Sequence, residues 1–128
     1  MQTTCVIIKP DAVRRELSGK IISRIEYQGW HITKMEMLRL TTAQVCTLYR
    51  QHSDQPWFNA QITFMRSGHC IVMEVYGMDA INGIRRLVGS TDRSPGTIRG
   101  DWSNHVRENL VHCSDSPEAA KRELELFF

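Results

Sequence analysis

The stretch Thr3-Thr-Cys-Val-Ile-Ile-Lys-Pro-Asp11 contains a strand followed directly by its stop signal. The apolar run from Thr3 to Ile8 predicts a buried strand. Pro10 ends this strand, because proline lacks a backbone donor and keeps the residue before it extended. Lys9 is therefore expected at the end of a strand.

Outward from this strand, the spacing of apolar residues first indicates a helix. Leu17 to Gln28 has helical periodicity, and Gly29 provides a left-handed stop. Trp30 to Leu40 alternates as a strand does, but the phase slips at Thr33-Lys34, which predicts a bulge. Thr41 to Gln44 has the form of a capping box and predicts the start of another helix.

The second half of the chain continues with shorter elements. Pro56 is expected to open a short helix, Cys70 to Tyr76 to form a third strand, and Asp79 to cap a helix that ends at Gly89. Ser90 to Asp101 has no periodicity and is expected to be a loop with a functional role. The remaining predictions are a short helix near Asn104 to Glu108, a fourth strand from Leu110 to Cys113, and a last helix capped by Ser116 with Pro117 first.

The order of these elements predicts the fold class. An α/β (α+β) protein is indicated by the order strand, helix, strand, paired helices, strand, helix, loop, strand and helix. This is a ferredoxin-like βαββαβ sandwich with an antiparallel four-stranded sheet covered by helices. A doubly wound parallel sheet is the competing architecture. It ranks second, because the second strand is not followed by the glycine-rich phosphate turn that such sheets often carry. Residues 1–128 are expected to form a single domain.

Composition excludes several classes of protein. Sixteen basic and fourteen acidic residues leave a net charge of only +2, too little for a nucleic-acid binder. Apolar runs such as Cys70 to Met73 are far shorter than the ~20 residues of a membrane span, and no secretory signal is visible. Four scattered cysteines form no CxxC pair, which favours reduced thiols and a cytoplasmic location.

Phosphate binding would have to rely on side chains. Neither G-x-x-x-x-G-K-[ST] nor G-x-G-x-x-G occurs in the chain. Lys9, Arg85, Thr91 and Arg99 are the candidates for a phosphate clamp, since guanidinium groups match phosphate oxygens in pairs. Scattered, solvent-facing charges are the alternative interpretation of these residues.

His112 is the candidate nucleophile. It lies in the strand-like segment Leu110 to Cys113, and an imidazole can attack phosphorus through one nitrogen when an acceptor holds the other. Glu123 on the following helix can reach back to it, while Tyr49 and Ser114 can add hydrogen bonds. A histidine buried for packing is the alternative.

Three motifs carry a resemblance to a known family. They are Ile8-Lys-Pro-Asp11, Pro95-Gly-Thr-Ile-Arg-Gly-Asp101 and Asn109-Leu-Val-His-Cys-Ser-Asp-Ser116. From Thr3 to Phe127 the sequence closely resembles nucleoside diphosphate kinases, and N-x-x-H-x-S-D-S is the active-site signature of that family.

The resemblance implies a ping-pong reaction. A nucleoside triphosphate gives its γ-phosphate to His112, and a nucleoside diphosphate then takes it, which maintains (d)NTP pools. Glu123 would orient the imidazole, with support from Ser114 and Tyr49. The resemblance assigns Lys9, Arg85, Thr91 and Arg99 to the phosphates, Asn109 to the sugar, and Trp57 and Val106 to the nucleotide site, with Trp57 against the base.

The resemblance also implies partners and a cofactor. Magnesium, Mg²⁺, would be held mainly through the nucleotide phosphates, without a protein ligand cage. A homohexamer built from dimers is expected, with no membrane partner and no specific nucleic acid. A non-catalytic nucleotide-binding or scaffold protein of the same fold is the rival function. A histidine phosphatase would need an Arg-His-Gly type motif, which is absent.

Three departures distinguish the chain from cellular members of the family. The loop Ser90 to Pro95 is a few residues shorter, Arg107 stands where the family usually has a small residue near the base, and Asn59, just after Trp57-Phe58, replaces the usual proline or acidic residue. Such compact forms resemble viral members, whose location would be the host cytoplasm. Arg107 and Asn59 can donate to ring carbonyls while they occupy space. We therefore hypothesise a preference for pyrimidine nucleotides, especially thymidine or deoxynucleotides.

Overall fold

Four strands form one antiparallel sheet. They are Gln2–Ile8 (β1), His31–Leu38 (β2), Cys70–Gly77 (β3) and Val111–Cys113 (β4). The structure is a computed structural model that describes residues 1–128. The strand order is β2-β3-β1-β4, and every pairing is antiparallel. The predicted ferredoxin-like sheet is thus confirmed, and the parallel alternative is wrong.

Helices cover both faces of this sheet. None of them is long and apolar enough to cross a membrane. Their bounds are Pro10–Arg14 (α1), Ser18–Tyr27 (α2), Thr42–Leu48 (α3), Phe58–Met65 (α4), Ala80–Val88 (α5), Ile98–Trp102 (α6) and Pro117–Phe127 (α7), with a 3₁₀ turn at Arg50–His52.

The central strand β1 is buried on both sides. Val6 and Ile8 belong to one apolar cluster with residues of α2 and α5. Cys5 and Ile7 belong to a second cluster, which also contains residues of α3 and α4. Alternate residues of a strand point to opposite faces, so a strand covered on both faces needs a continuous apolar run. This explains why the first stretch of the sequence is apolar without alternation.

Several local predictions are confirmed. The register of β2 against β3 shifts between Ile32 and Lys34, which is the predicted irregularity. The Thr41 hydroxyl accepts from the Gln44 backbone N–H, and the Gln44 side chain accepts from the Thr41 N–H, as in a capping box. The Ser116 side chain caps α7, with Pro117 at its first position.

The predictions for residues 90–108 are wrong in two places. The expected loop contains α6, whose first turn is capped by the Thr97 side chain through the Gly100 N–H. The helix expected near Asn104 to Glu108 is absent, and residues 105–108 form bends. There the His105 imidazole accepts from two backbone N–H groups. Such local bonds compete with helical ones.

Other element starts also differ from expectation. Asp79 precedes α5 in a left-handed conformation, with φ 50°, and makes no capping hydrogen bond. Its carboxylate pairs with Arg86 at 3.1 Å instead. α4 begins at Phe58 rather than at Pro56, and α1 directly after Lys9 is an additional short helix.

Gly83 on α5 is required by close packing. A Cβ at this position would overlap the Trp30 indole, whose Nε1–H donates to the Met78 carbonyl oxygen at 3.0 Å and so holds the ring in place. Gly19 on α2 is the matched contrast, because a Cβ there meets no atom within 4 Å.

We predict that Gly83→Ala lowers the free energy of unfolding by about 1–3 kcal/mol, the range for overpacking a well-filled site. Gly19→Ala should leave it unchanged or raise it by up to ~1 kcal/mol, because alanine is the better helix former. Urea unfolding of the two variants measures the difference. Equal stabilities would contradict the packing of Trp30 against α5.

Candidate active site

His112 on β4 is held by a buried carboxylate. Its Nε2 lies 2.9 Å from Oε1 of Glu123 on α7, and the glutamate side chain is only 4% exposed. The Ser114 hydroxyl donates to the same oxygen at 2.9 Å. Because a carboxylate accepts, the imidazole proton resides on Nε2, and Nδ1 keeps its lone pair for chemistry. Glu123 therefore contacts His112 directly, and Ser114 reaches it only through Glu123.

Tyr49 supports His112 by packing. Its ring lies edge-on to the imidazole, with centroids 5.7 Å apart. The hydroxyl is buried and has no hydrogen-bond partner, so the expected hydrogen bond to the catalytic pair is not formed. Burial raises the pKa of Tyr49 well above its usual value. The hydroxyl therefore keeps its proton and remains a donor at neutral pH.

Lys9 is buried at the end of β1. Its Nζ donates to Oδ1 of Asn109 at 2.7 Å and to the Arg107 carbonyl oxygen at 3.4 Å. Burial, and then the nearby Arg99 guanidinium, lower the pKa of Lys9 to about 7, against the opposing effect of the Asp11 carboxylate. The protonation state of Lys9 therefore depends on the groups that bind next to it.

Asp11 shapes the turn before His112. Its Oδ2 accepts from the Leu110 backbone N–H at 3.1 Å. Leu110 has φ 82°, a left-handed conformation that a leucine rarely adopts. Asp11 and the buried leucine side chain together keep the chain in this conformation, which precedes β4.

Arg99 on α6 joins two parts of the site. Its Nη1 donates to the Gly89 carbonyl oxygen at 3.0 Å, and its Nη2 donates to the Val111 carbonyl oxygen at 2.8 Å. Its Nε is buried without a partner. Burial lowers the pKa of Arg99 from its usual value. The guanidinium therefore holds the end of α5 against β4 and keeps one donor unpaired.

Two clefts meet at His112. They have volumes of about 640 and 340 Å³ and share Thr91, Arg99 and His112. Arg85 lies on the wall of the larger cleft, and both Arg85 and Thr91 are exposed. The wall of the smaller cleft includes Lys9, Tyr49, Trp57, Val106, Arg107 and Asn109. Apart from Asn59, the residues predicted to contact the phosphates, the sugar and the base therefore line one or both of these neighbouring clefts.

Asn59 and Arg107 differ in their positions. The Arg107 guanidinium lies 6.0 Å from the centroid of the Trp57 ring, and both residues line the smaller cleft. Asn59 is exposed and lines neither cleft. Of these two residues, only Arg107 lines a cleft.

Two further residues of the smaller cleft escaped the sequence analysis. Gln61 is 4% exposed, and its Oε1 has no hydrogen-bond partner. The available signal is its spacing, because Gln61 lies three residues after Phe58 on the apolar stripe of α4. His52 is the second residue, and its ring is tilted against Trp57 with centroids 5.3 Å apart. Nothing in its sequence surroundings marks it.

Comparison with known proteins identifies the family. The family model described as nucleoside diphosphate kinase matches residues 2–128. The chain belongs to the nucleoside diphosphate kinase family. It is thus an enzyme, a nucleoside diphosphate kinase, and the non-catalytic scaffold is set aside.

Relatives of the kinase share its sequence and its fold. A nucleoside diphosphate kinase of Streptomyces coelicolor is 48% identical over 99% of this chain and 96% of its own length. The crystal structure of the enzyme from Encephalitozoon cuniculi superposes with a TM-score of 0.97, at 34% identity, over 100% of this chain and 89% of that one. The enzyme of Halobacterium salinarum, solved in complex with CDP, has a TM-score of 0.95 and 38% identity over 99% of this chain and 87% of that one.

The lowered pKa of the buried Lys9 side chain can be measured. We predict that its side chain changes charge near pH 7 in the free protein, because burial disfavours the ammonium form. Bound nucleotide should raise this pKa, since phosphate charges favour the ammonium. The ¹³Cε shift of Lys9 across a pH series measures both values, with the exposed Lys20 as reference. A Lys9 that remains charged at about pH 9 without nucleotide would contradict the burial argument.

Proposed function

We propose that residues 1–128 act as one kinase domain that transfers the γ-phosphate of a nucleoside triphosphate, typically ATP, to a nucleoside diphosphate through a phosphohistidine on His112. The observation that carries this proposal is the contact of 2.9 Å between His112 Nε2 and the buried Glu123. It leaves Nδ1 as the nucleophile. The reaction serves the maintenance of (d)NTP pools.

The first half of the reaction is an attack by His112. The Nδ1 lone pair forms a bond to the γ-phosphorus, while the bond from this phosphorus to the β-bridging oxygen breaks. The electron pair leaves with the nucleoside diphosphate. The ring gains positive charge, which the Glu123 carboxylate stabilises through Nε2–H. In the second half, a different nucleoside diphosphate attacks the phosphohistidine and takes the phosphoryl group.

Cationic and hydroxyl side chains around His112 hold the phosphates in this proposal. Arg99 and Thr91 border both clefts, and Arg85 lies beside them on the wall of the larger one. Lys9 approaches from the end of β1. Donors that are already in place where negative charge develops stabilise the transferring group without a cost of reorganisation. The Tyr49 hydroxyl, buried and unpartnered, can donate to the same group.

The chemistry of the cleft suits Mg²⁺ that arrives with the nucleotide. No group of three or more acidic, histidine or cysteine side chains is arranged to hold a metal ion. The donors near His112 are instead Lys9, Thr91 and Arg99, which bind phosphate oxygens. We therefore propose that the phosphates hold Mg²⁺, which neutralises part of their charge when bound.

The nucleoside end of the substrate is assigned to the smaller cleft. We propose that the base lies between Trp57 and Val106 and that Asn109 meets the sugar hydroxyls. The related Halobacterium salinarum enzyme was solved with CDP, which supports a nucleotide at this kind of site. Stacking tolerates different bases, since every base has a π face.

Arg107 is proposed to shift base preference toward pyrimidines, especially thymidine and deoxynucleotides. Its guanidinium lies near the Trp57 ring and takes up space in the smaller cleft. A pyrimidine has a single ring and therefore leaves room for the Arg107 side chain. A carbonyl oxygen of the pyrimidine can accept a hydrogen bond from the guanidinium. The proposal rests on Arg107 alone, because Asn59 lies outside the cleft.

We predict that Arg107→Gly raises kcat/KM for GDP and ADP relative to dTDP and dCDP by about 3- to 10-fold, the worth of one hydrogen bond plus the released space. Asn59→Ala is the control and should keep the wild-type order of substrates. Steady-state rates with the four diphosphates measure the profile. Equal profiles in wild type and Arg107→Gly would contradict the pyrimidine preference.

We predict that γ-labelled ATP leaves an acid-labile label on the wild-type protein and none on His112→Ala. Glu123→Gln should slow labelling on the order of 10- to 100-fold, as for other partners that orient a functional histidine. Thermal unfolding of each variant separates lost chemistry from lost folding. An unlabelled wild type, or a labelled His112→Ala, would contradict the phosphohistidine.

A homohexamer built from dimers is also proposed. β2 lies at the edge of the sheet and exposes Met35 and Met37 beside its unpaired backbone groups, which favours pairing with a second copy. Sedimentation should give six times the 14.8 kDa chain mass, and a mass that fits a dimer would contradict the hexamer.

We further propose a cytoplasmic location for the kinase, since its four cysteines are free thiols.

A further inference from the structure

His105 lies in the segment between α6 and β4 and has no part in the reaction described above. Its Nδ1 accepts from the backbone N–H of Arg107 at 3.0 Å and from that of Glu108 at 3.2 Å. An asparagine or aspartate oxygen commonly makes such a pair of bonds to the N–H groups two and three residues ahead. Here a titratable ring makes them.

The bonds require one protonation state of the ring. Neutral imidazole accepts at one nitrogen, whereas the imidazolium donates at both. Protonation of Nδ1 would set an N–H against the two backbone N–H groups and abolish both bonds. His105 lines a shallow depression between α4 and residues 105–108. The charged residues of this depression are Arg107 and Glu108. On the α4 side it is lined by uncharged residues, which include Gln61, Thr63 and Phe64.

Ser103 fixes the start of the same turn by hydrogen bonds. Its side chain is buried, and its hydroxyl donates to the His105 carbonyl oxygen at 2.9 Å. The His105 backbone N–H lies 3.4 Å from the same hydroxyl oxygen. With the backbone of His105 held in this way, the imidazole can reach the amides that follow it.

The turn continues into the wall of the smaller cleft. The Asn109 side-chain amide donates to the Val106 carbonyl oxygen at 2.8 Å, and Lys9 Nζ bonds both Asn109 and the Arg107 carbonyl. Arg107, whose N–H donates to the imidazole, is thus also hydrogen-bonded through its carbonyl oxygen to Lys9 of the cleft. Loss of the imidazole bonds would loosen Val106, Arg107 and Asn109 together.

We infer that His105 is a positioning residue whose neutral imidazole holds residues 106–109 in the nucleotide-binding conformation and whose protonation weakens nucleotide binding. The inference rests on the proposed function in one respect, namely that the smaller cleft receives the nucleoside. It makes binding depend on pH through a group that does not touch the substrate.

The test compares the wild type and three variants at about pH 8 and about pH 5.5, on either side of the ordinary histidine range. His105→Asn keeps an acceptor at the same place without a titrating ring, and His105→Ala removes the acceptor. The exposed His69 provides the control variant His69→Asn. The readouts are KM for a nucleoside diphosphate and kcat, measured separately.

We expect KM of the wild type to rise about 3- to 10-fold more on acidification than KM of His105→Asn, the fold-change of losing a cap. His105→Ala should have the raised KM at both pH values. The ionisable groups that line the clefts are the same in every variant, so their effects cancel in the comparison. An equal pH dependence of wild type and His105→Asn, or a wild-type KM for His105→Ala at pH 8, would overturn the inference.

Amide hydrogen exchange provides a readout that does not depend on activity. Protection factors of the Arg107 and Glu108 amides should fall on acidification in the wild type and should persist in His105→Asn. Unchanged wild-type protection would overturn the inference even in an active enzyme. If His112 takes no label from ATP while the amides behave as expected, the proposed function fails and the role of His105 in the turn stands.

Discussion

The antiparallel pairing of β1 with β4 is the contact on which the site depends. β4 has only three residues, and its register sets Ile7 opposite His112. Flanking bonds extend this short ladder, since the Lys9 N–H donates to the Leu110 carbonyl oxygen at 2.8 Å and the Ser114 N–H donates to the Cys5 carbonyl oxygen at 3.1 Å. Because side chains alternate across a strand, a slip of one residue would turn His112 to the opposite face, away from Glu123.

The polar residues of the site are also part of the structure that holds it. Arg99 binds the backbone of Gly89 and Val111, and Lys9 binds Asn109, before any nucleotide arrives. Buried cations are costly unless they are hydrogen-bonded, and these bonds offset that cost. The same groups therefore stabilise the cleft and, in the proposed reaction, supply positive charge to the phosphates.

The sequence predicts the regular elements well because burial imposes a pattern. β1 is covered on both faces and is uniformly apolar, while α3 and α7 begin with capping residues whose side chains bond the first turn. The helix that follows His112 in the sequence makes a contact with Glu123 feasible, and the resemblance then assigns the pair, since eleven positions separate the two residues in the chain. No local pattern connects two such residues.

The errors lie where side chains bond to nearby backbone. A single Thr97 hydroxyl starts α6 in a segment rich in glycine, and the His105 ring replaces a helix by a turn. Gln61 was missed because one polar residue on an apolar stripe resembles a surface position. The carbonyl contacts of Arg99 depend on tertiary structure and have no signal in sequence spacing.

The central claim is that Glu123 occupies Nε2 of His112 and leaves Nδ1 as the nucleophile. The most direct measurement is ¹⁵N–³¹P coupling in the phosphorylated protein with ¹⁵N-labelled histidine, which reports the nitrogen that carries the phosphoryl group. The account predicts phosphorus on Nδ1, with a proton retained on Nε2. Phosphorus on Nε2 would contradict it, because the Glu123 contact would then have to break before the reaction.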